Sequence, residues 1–531
     1  MSKKPHIIIF NPDEMRWDAM GHMGNPAAIT PNLDEFAKNE AVSFSRAYCQ
    51  NPVCVPSRCS FFTGLYPHTR GHRTMTYLLQ PGEETLFSEL RRDGYYVWMN
   101  SRNDLLAGQI PGWAESHADE IFYGIDKNAP GPENPHLRGE KGNKYFYSHF
   151  EGRLGLDENG KNYSEDDAAV DAAIERILNP PKDKPVCLFL GLTYPHVPYM
   201  VEEPYYSAVD RTKLPPRVRL EECRGKSKIV HKIHEYVDMD DFSEADWDEL
   251  RAVYLGMCMK VDAQFGRLVR ALKDAGIYDD CAIFFMSDHG DWAGDYGLPE
   301  KAQNSFEDSL TRVPLLIKPP GDVDFEPGIS DAITELVDFY ATALDFAGAR
   351  SSHTHFGRSL RKTLKNHDQA IRRFACCEGG RLPEEAHCDE YHDMPGGARE
   401  DFVYWPKLMA QADNEAHAKG IMMRSDRYKF ISRISGEDEL YDMLKDPQEK
   451  LNLINEPELV PIVAQMQRDM LRWLQETSDI VPFEHDQRFT REMMLAKARK
   501  IVPADRMDAL VALLDKGIPF FPAIGKVMSA G

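Results

Sequence analysis

"HIIIFNPDE", His6 to Glu14, is the stretch on which the fold reading turns. Its unbroken apolar run, Ile7 to Phe10, suits a strand buried on both faces rather than one with a solvated side. Two carboxylates, Asp13 and Glu14, follow at once. The stretches "PVCLFLGLTYPH" (Pro185–His196) and "CAIFFMSDHGD" (Cys281–Asp291) behave alike, ending in His196 and in Asp288 and His289. Between them, "EADWDELRAVYLGMCMKVDAQFGRLVRALKDAG" (Glu244–Gly276) repeats apolar residues at helical spacing and stops at a glycine. Strands alternating with helices predict an α/β fold, a mostly parallel sheet covered by helices on both faces. Ligands of such sheets bind beyond the carboxyl ends of the strands, where Asp13, His196, Asp288 and His289 all fall.

The totals narrow the function classes. A chain of 531 residues is too long for one simple core, so more than one subdomain is expected. Its 42% hydrophobic and 28% charged residues are those of a soluble globular protein. The 63 basic and 85 acidic residues leave a net charge of −22, which repels nucleic-acid backbones and anionic membranes but permits a local basic pocket. No apolar run reaches membrane-spanning length. "MSKKPHIIIFNPDEMRWD" lacks the long apolar stretch and small-residue cleavage site of a signal peptide. The expectation is a cytoplasmic protein whose ten cysteines are mostly free thiols.

Three segments are expected: a catalytic α/β domain over 1–375, a subdomain over 376–480 and an extension over 481–531. Cys376–Asp401 is polar and glycine-rich and reads as a long loop, with His387 and His392 available to a pocket. "GIMMRSDRYKFISRI" and "DELYDMLKDPQEKLNLI" suggest a small antiparallel sheet and a turn, with a helix over Glu458–Thr477. The extension holds a helix and "GIPFFPAIG".

"NPVCVPSRCSFFTGLYPHTRGHR" (Asn51–Arg73) poses the chemical question. Cys49, Cys54 and Cys59 are spaced C-x4-C-x4-C, which does not match the close pairs of zinc or iron–sulfur sites. Cys49 and Cys59 read as small buried hydrophobes. Cys54 stays open as a catalytic thiol, since Arg58 four residues on favours a thiolate. His68 and His72 read as structural.

Cys54-Val55-Pro56-Ser57-Arg58, followed by Thr63-Gly64, resembles the C-x-P-S-R-x-x-x-x-T-G signature of the type I sulfatases, in the alkaline phosphatase superfamily. The resemblance continues through "TPNLDEFAKNEAVSFSRAYC" (Thr30–Cys49), "PHVP" (Pro195–Pro198), "SDHGDWAGDYGLPEK" (Ser287–Lys301), "TRVPLLIKPPG" (Thr311–Gly321), "FGRSL" (Phe356–Leu360) and "ELYDMLKDPQEKLNL" (Glu439–Leu453). It implies an alkaline-phosphatase-like fold. It also implies that Cys54 is oxidised to Cα-formylglycine by a formylglycine-generating or anaerobic sulfatase-maturing enzyme. The hydrated aldehyde would attack sulfur, and the sulfated diol would then eliminate sulfate.

Residue by residue, the resemblance makes Asp13, Asp288, His289 and modified Cys54 the metal ligands. Glu14 stands where the family has aspartate and would ligate or orient another ligand. Oxygen-rich ligands suit Ca²⁺ or Mg²⁺, and the imidazole also tolerates Mn²⁺. Arg58 would hold the diol, Lys301 would contact sulfate oxygens, and His196, titrating near neutrality, would protonate the leaving alcohol. Relatives often carry Gly-Lys-x-His where this chain has Arg102 and Asp104. Arg102 keeps the positive charge, and Asp104 would act as the base or contact a substrate hydroxyl or amine. Tyr296 likewise stands where relatives often have histidine. The implied activity is hydrolysis of aryl, steroid or sugar sulfates, with small monosulfated substrates favoured over polymers by the net charge. Two alternatives accompany it. One is phosphonate monoester or phosphodiester hydrolysis by the same superfamily, whose long tails join subunits, so that the extension is compatible with a homo-oligomer. The other is a non-catalytic relative that binds sulfated ligands through an unconverted thiol.

Overall fold

The computed structural model describes residues 4–124, 136–157, 160–394, 397–483 and 488–529. Residues 1–3 of the N-terminal stretch, 395–396 of the expected loop, and 484–487 and 530–531 of the extension lie outside these.

Eight strands form the main sheet, in the order Gly328–Ser330, Val42–Phe44, Leu315–Lys318, Cys281–Met286, His6–Pro12, Val186–Leu192, Tyr96–Asn100 and Glu120–Phe122. The central strand, His6–Pro12, runs parallel to both neighbours. Parallel pairing continues through Tyr96–Asn100 to Glu120–Phe122, whereas Leu315–Lys318 pairs antiparallel with Cys281–Met286. This is the mostly parallel sheet that the three apolar runs predict. Asn11 Nδ2 donates to the Met286 carbonyl at 2.7 Å and ties two central strands together at the end that carries the chemistry.

Alternation along the buried strands feeds two cores. Ile8 and Phe10 join Leu188, Leu190, Ile283 and Phe285 beneath the long helix Glu244–Asp274. Ser243 caps that helix and exchanges hydrogen bonds with Asp246. Ile7 and Ile9 face the other way, toward Phe189, Phe284 and the helices Cys54–Thr63 and Val337–Ala347. Phe62 meets Phe189 edge-on at 5.2 Å, and Phe339 meets Phe284 at 4.9 Å. Each such side chain removed from water contributes about 1.5–3 kcal/mol. The cores fix the helix Cys54–Thr63 against the sheet and so place its first residue.

A second, antiparallel sheet joins Ala375–Gly379, Gly420–Arg424, Tyr428–Arg433 and Glu439–Asp442, followed by the helix Val460–Thr477. Cys376–Gly379 is therefore strand, not the start of the expected loop. Its small residues pair with Gly420–Met423, and Gly379 lies so close to Gln303 that a Cβ there would stand 1.9 Å from the Gln303 carbonyl oxygen. The glycine that suggested a loop marks a tight backbone crossing.

Residues 4–351 and 355–479 form one compact unit that contains both sheets. Residues 352–354 with the described part of 480–531 form a second. It has the helices Arg491–Ala498, Met507–Asp515 and Phe520–Ser529, and its own core of Met494, Ala498, Leu510, Phe520, Ala523 and Val527. "GIPFFPAIG" thus lies largely in helix. No described helix is long and apolar enough to cross a membrane.

Candidate active site

Cys54 is the first residue of a ten-residue helix whose every side chain is buried. Its Sγ lies 3.2 Å from His289 Nε2 and 3.5 Å from Asp13 Oδ1. Asp13 follows the central strand, and Asp288 and His289 follow its neighbour Cys281–Met286. The turn at Gly290 allows this approach, because a Cβ there would meet the Ser309 carbonyl oxygen at 1.9 Å. Ser57 Oγ donates to the Asp288 carbonyl at 2.7 Å and locks the helix to the turn. Met15 N–H donates to Ser287 Oγ, which in turn donates to the His289 carbonyl.

The ligand atoms of Asp13, Cys54, Asp288 and His289 all lie within 4.8 Å of one another, and a second group joins Asp13, Glu14 and His196. His289 Nδ1 donates to the Gly290 carbonyl at 2.9 Å, which leaves the Nε2 lone pair facing the cluster. Glu14 Oε1 is buried with no hydrogen-bond partner among the described residues. Carboxylate oxygens, one imidazole and an orphaned carboxylate oxygen fit a hard divalent cation.

Two guanidinium groups balance the aspartates. Arg58 donates from Nε to Asp288 Oδ2 at 2.7 Å and from Nη2 to Asp13 Oδ2 at 2.9 Å. Arg102 Nη2 donates to the same Asp13 oxygen at 2.6 Å. Burial alone would raise the Asp13 carboxyl, but Arg102 and Arg58 hold it well below the usual range. Arg58, expected to hold the nucleophile or favour a thiolate, is committed to these two aspartates. Burial pushes the Cys54 thiol well up, and the neighbouring Asp13 adds to the shift.

Glu14 stands between the cluster and two further expected residues. Its Oε2 accepts from Lys301 Nζ at 2.9 Å and lies 3.5 Å from His196 Nε2, while its backbone N–H donates to Asp288 Oδ1. Burial raises its carboxyl well above the usual range against the pull of Lys301. His196 Nδ1 donates to the Val197 carbonyl at 2.7 Å, so Nε2 faces Glu14. The expectation that His196 titrates near neutrality is corrected: burial, and then the Lys301 ammonium, hold it well below. Asp104 Oδ2 lies 3.4 Å from Arg58 Nη1, its side chain one-third exposed.

Sequence reading missed Glu300 and Lys407. Glu300 Oε1 lies 3.2 Å from Lys301 Nζ and 3.1 Å from Lys407 Nζ. Adjacency to Lys301 is the only sequence signal for Glu300, and Lys407 has none. Glu14, Asp104 and Glu300 all have left-handed backbone, φ 70°, 47° and 65°. Such strain persists where the surroundings dictate the conformation and gathers at functional sites. Other expected residues lie elsewhere. The Tyr296 hydroxyl donates to the Gln448 carbonyl. His68 pairs with Glu378 and His72 with Glu83, and His392 pairs with Asp389.

The Sulfatase family model matches residues 5–349. The chain belongs to the sulfatase family. A sulfatase is a hydrolase of sulfuric esters, and the alkaline-phosphatase-like sheet is the family's scaffold. The chain is 23% identical over 500 residues to an arylsulfatase of Clostridium perfringens, covering 89% of this sulfatase and 95% of that protein. It is 26% identical over 472 residues to a choline-sulfatase of Rhizobium meliloti, covering 86% and 83%. Among solved structures, the phosphonate monoester hydrolase of Agrobacterium radiobacter superposes with a TM-score of 0.70 at 20% identity, covering 90% of this chain and 97% of that one, which establishes shared architecture.

Proposed function

We propose that this sulfatase hydrolyses small aryl, steroid or sugar sulfate monoesters, with Cys54, oxidised by a maturation enzyme to Cα-formylglycine, supplying the attacking oxygen as the aldehyde hydrate. The observation that carries the reading is the position of Cys54 Sγ, held between His289 Nε2 and Asp13 Oδ1 and raised as a thiol. Sulfur there marks where the hydrate oxygen would lie. A divalent cation, Ca²⁺ for an oxygen-rich set with Mg²⁺ or Mn²⁺ as substitutes, would be held by Asp13, Asp288, His289 and residue 54, with Glu14 beside them. When bound it favours ionisation of the nucleophile and offsets charge on the ester oxygens.

The chain's own residues do the rest. Arg58 and Arg102 keep Asp13 ionised and oriented. Lys301 offers N–H donors to the sulfate oxygens. His196 Nε2 is placed to transfer a proton to the leaving oxygen. It is neutral in the free site, and an ester anion bound beside it favours the imidazolium, so binding of the substrate draws a proton from solvent onto Nε2. Asp104, on Arg58 at the exposed rim, serves as a base for aldehyde recovery or as a contact for a substrate hydroxyl or amine.

Paired rates on 4-nitrophenyl sulfate and a phenyl phosphonate monoester test the reading. It expects the sulfate ester to be turned over faster. Turnover of the phosphonate alone would replace it with phosphonate monoester hydrolysis, and turnover of neither by matured, metal-loaded protein would favour a non-catalytic binder.

A further inference from the structure

Lys301 sits between two buried carboxyl groups. Glu14 lies on one side at 2.9 Å and Glu300 on the other at 3.2 Å, all three buried. The Glu300 carboxylate offsets the ammonium charge that Lys301 would otherwise present to an anion. Lys407 restores the balance: its Nζ lies 3.1 Å from Glu300 Oε1, the same oxygen that faces Lys301. Beyond it Glu390 stands 3.4 Å away toward the surface. Glu14, Lys301, Glu300 and Lys407 thus form a buried alternating row of two carboxylates and two ammoniums.

The row joins distant parts of the chain. Glu14 follows the central strand, Glu300 and Lys301 follow the Asp288–His289 turn, and Lys407 lies in the helix Trp405–Ala412. The Lys407 ammonium is also 4.5 Å from the ring centre of Tyr404, a favourable cation–π distance. Left-handed backbone at Glu300 turns its carboxylate into the row. Removing the ammonium of Lys407 leaves Glu300 with Lys301 as its close ion-pair partner among the described residues, which draws Nζ from Glu14 and the substrate side. Breaking one partner of a buried ion pair leaves an uncompensated charge and is strongly unfavourable.

We propose that Lys407, acting through Glu300, is a positioning residue that holds Lys301 in place and leaves it enough positive charge to bind the sulfate group. The inference rests on the reading of Lys301 as a sulfate contact.

The test is calorimetric binding of inorganic sulfate to matured, metal-loaded enzyme, alongside KM and kcat for 4-nitrophenyl sulfate. Lys407→Met is expected to weaken sulfate binding and raise KM by about tenfold or more. Glu300→Gln alone, which removes the competing charge and keeps an acceptor for Lys301, is expected to bind within about threefold of wild type. The double variant Glu300→Gln/Lys407→Met, which loses one charge of each sign and so keeps the wild-type net charge, is expected to recover to within about threefold, a coupling that a merely structural lysine would not show. Unchanged binding in Lys407→Met overturns the proposal, as does a double variant no better than Lys407→Met. Should Lys407→Met not fold, a loss of about tenfold in Glu300→Gln overturns it instead. If wild type hydrolyses no sulfate ester, the hydrolase reading fails, while the binding series still decides the positioning role.

Discussion

At position 196 burial and the Lys301 ammonium keep an imidazole neutral that sequence alone would place near half-protonation. Its Nδ1–H is held by the Val197 carbonyl, so the only nitrogen free to exchange a proton is Nε2. A general acid matters most when the leaving group is poor. We therefore expect His196→Asn to slow phenyl sulfate by about 10²–10⁴-fold and 4-nitrophenyl sulfate much less. Steady-state rates over a series of substituted phenyl sulfates measure this, and an equal loss across the series would remove His196 from proton transfer. Glu14 offers a second prediction. Glu14→Gln removes the carboxylate beside Lys301 and the orphaned oxygen. We expect a fall in turnover of about 10–100-fold, by analogy with the loss of a ligand-orienting carboxylate, with the enzyme still folded by circular dichroism.

Elements explain which parts of the site can be read from residues in order. Asp13, His196, Asp288 and His289 were foreseeable because each sits just past an apolar run, and strand ends in a parallel sheet gather at one rim. Cys54 and Arg58 share one helix at fixed spacing. Lys407 was hidden for the opposite reason: its partner Glu300 lies 107 residues away, and nothing local distinguishes it from a surface lysine. Cys376–Gly379 misled because buried strands that cross another backbone closely use small residues and glycine, the composition of a loop.

The turn between Trp405–Ala412 and Gly420–Arg424 carries an acid-sensitive group. His417 is buried, both ring nitrogens lack a hydrogen-bond partner among the described residues, and burial pushes it down to about 3. The folded pKa is depressed, so the contribution is present above the unfolded value of about 6.5 and lost as pH falls toward the folded value. Below that unfolded value only the unfolded chain takes up the proton. We expect wild type to lose a few kcal/mol relative to His417→Leu between about pH 6.5 and 3.5. Urea unfolding of both proteins at several pH values checks it. Parallel curves would contradict it.

For the whole molecule, the net charge of −22 sets the approach of an anionic substrate. Salt screens that repulsion over about 10 Å at 0.1 M. We expect kcat/KM for a small monosulfate to rise or stay flat between 20 and 200 mM salt, roughly within threefold. A steep fall would mean that the local field of Arg102, Lys301 and Lys407 steers substrate instead.

The central claim concerns residue 54, and the most direct measurement joins its chemical state to turnover. Cleavage after Arg46 and Arg58 releases "AYCQNPVCVPSR", Ala47–Arg58, which conversion makes about 18 Da lighter. Preparations matured to different extents should show sulfatase activity in proportion to the lighter peptide, with none in a Cys54→Ala variant. Full turnover from protein in which Cys54 of this peptide is unmodified would contradict the account.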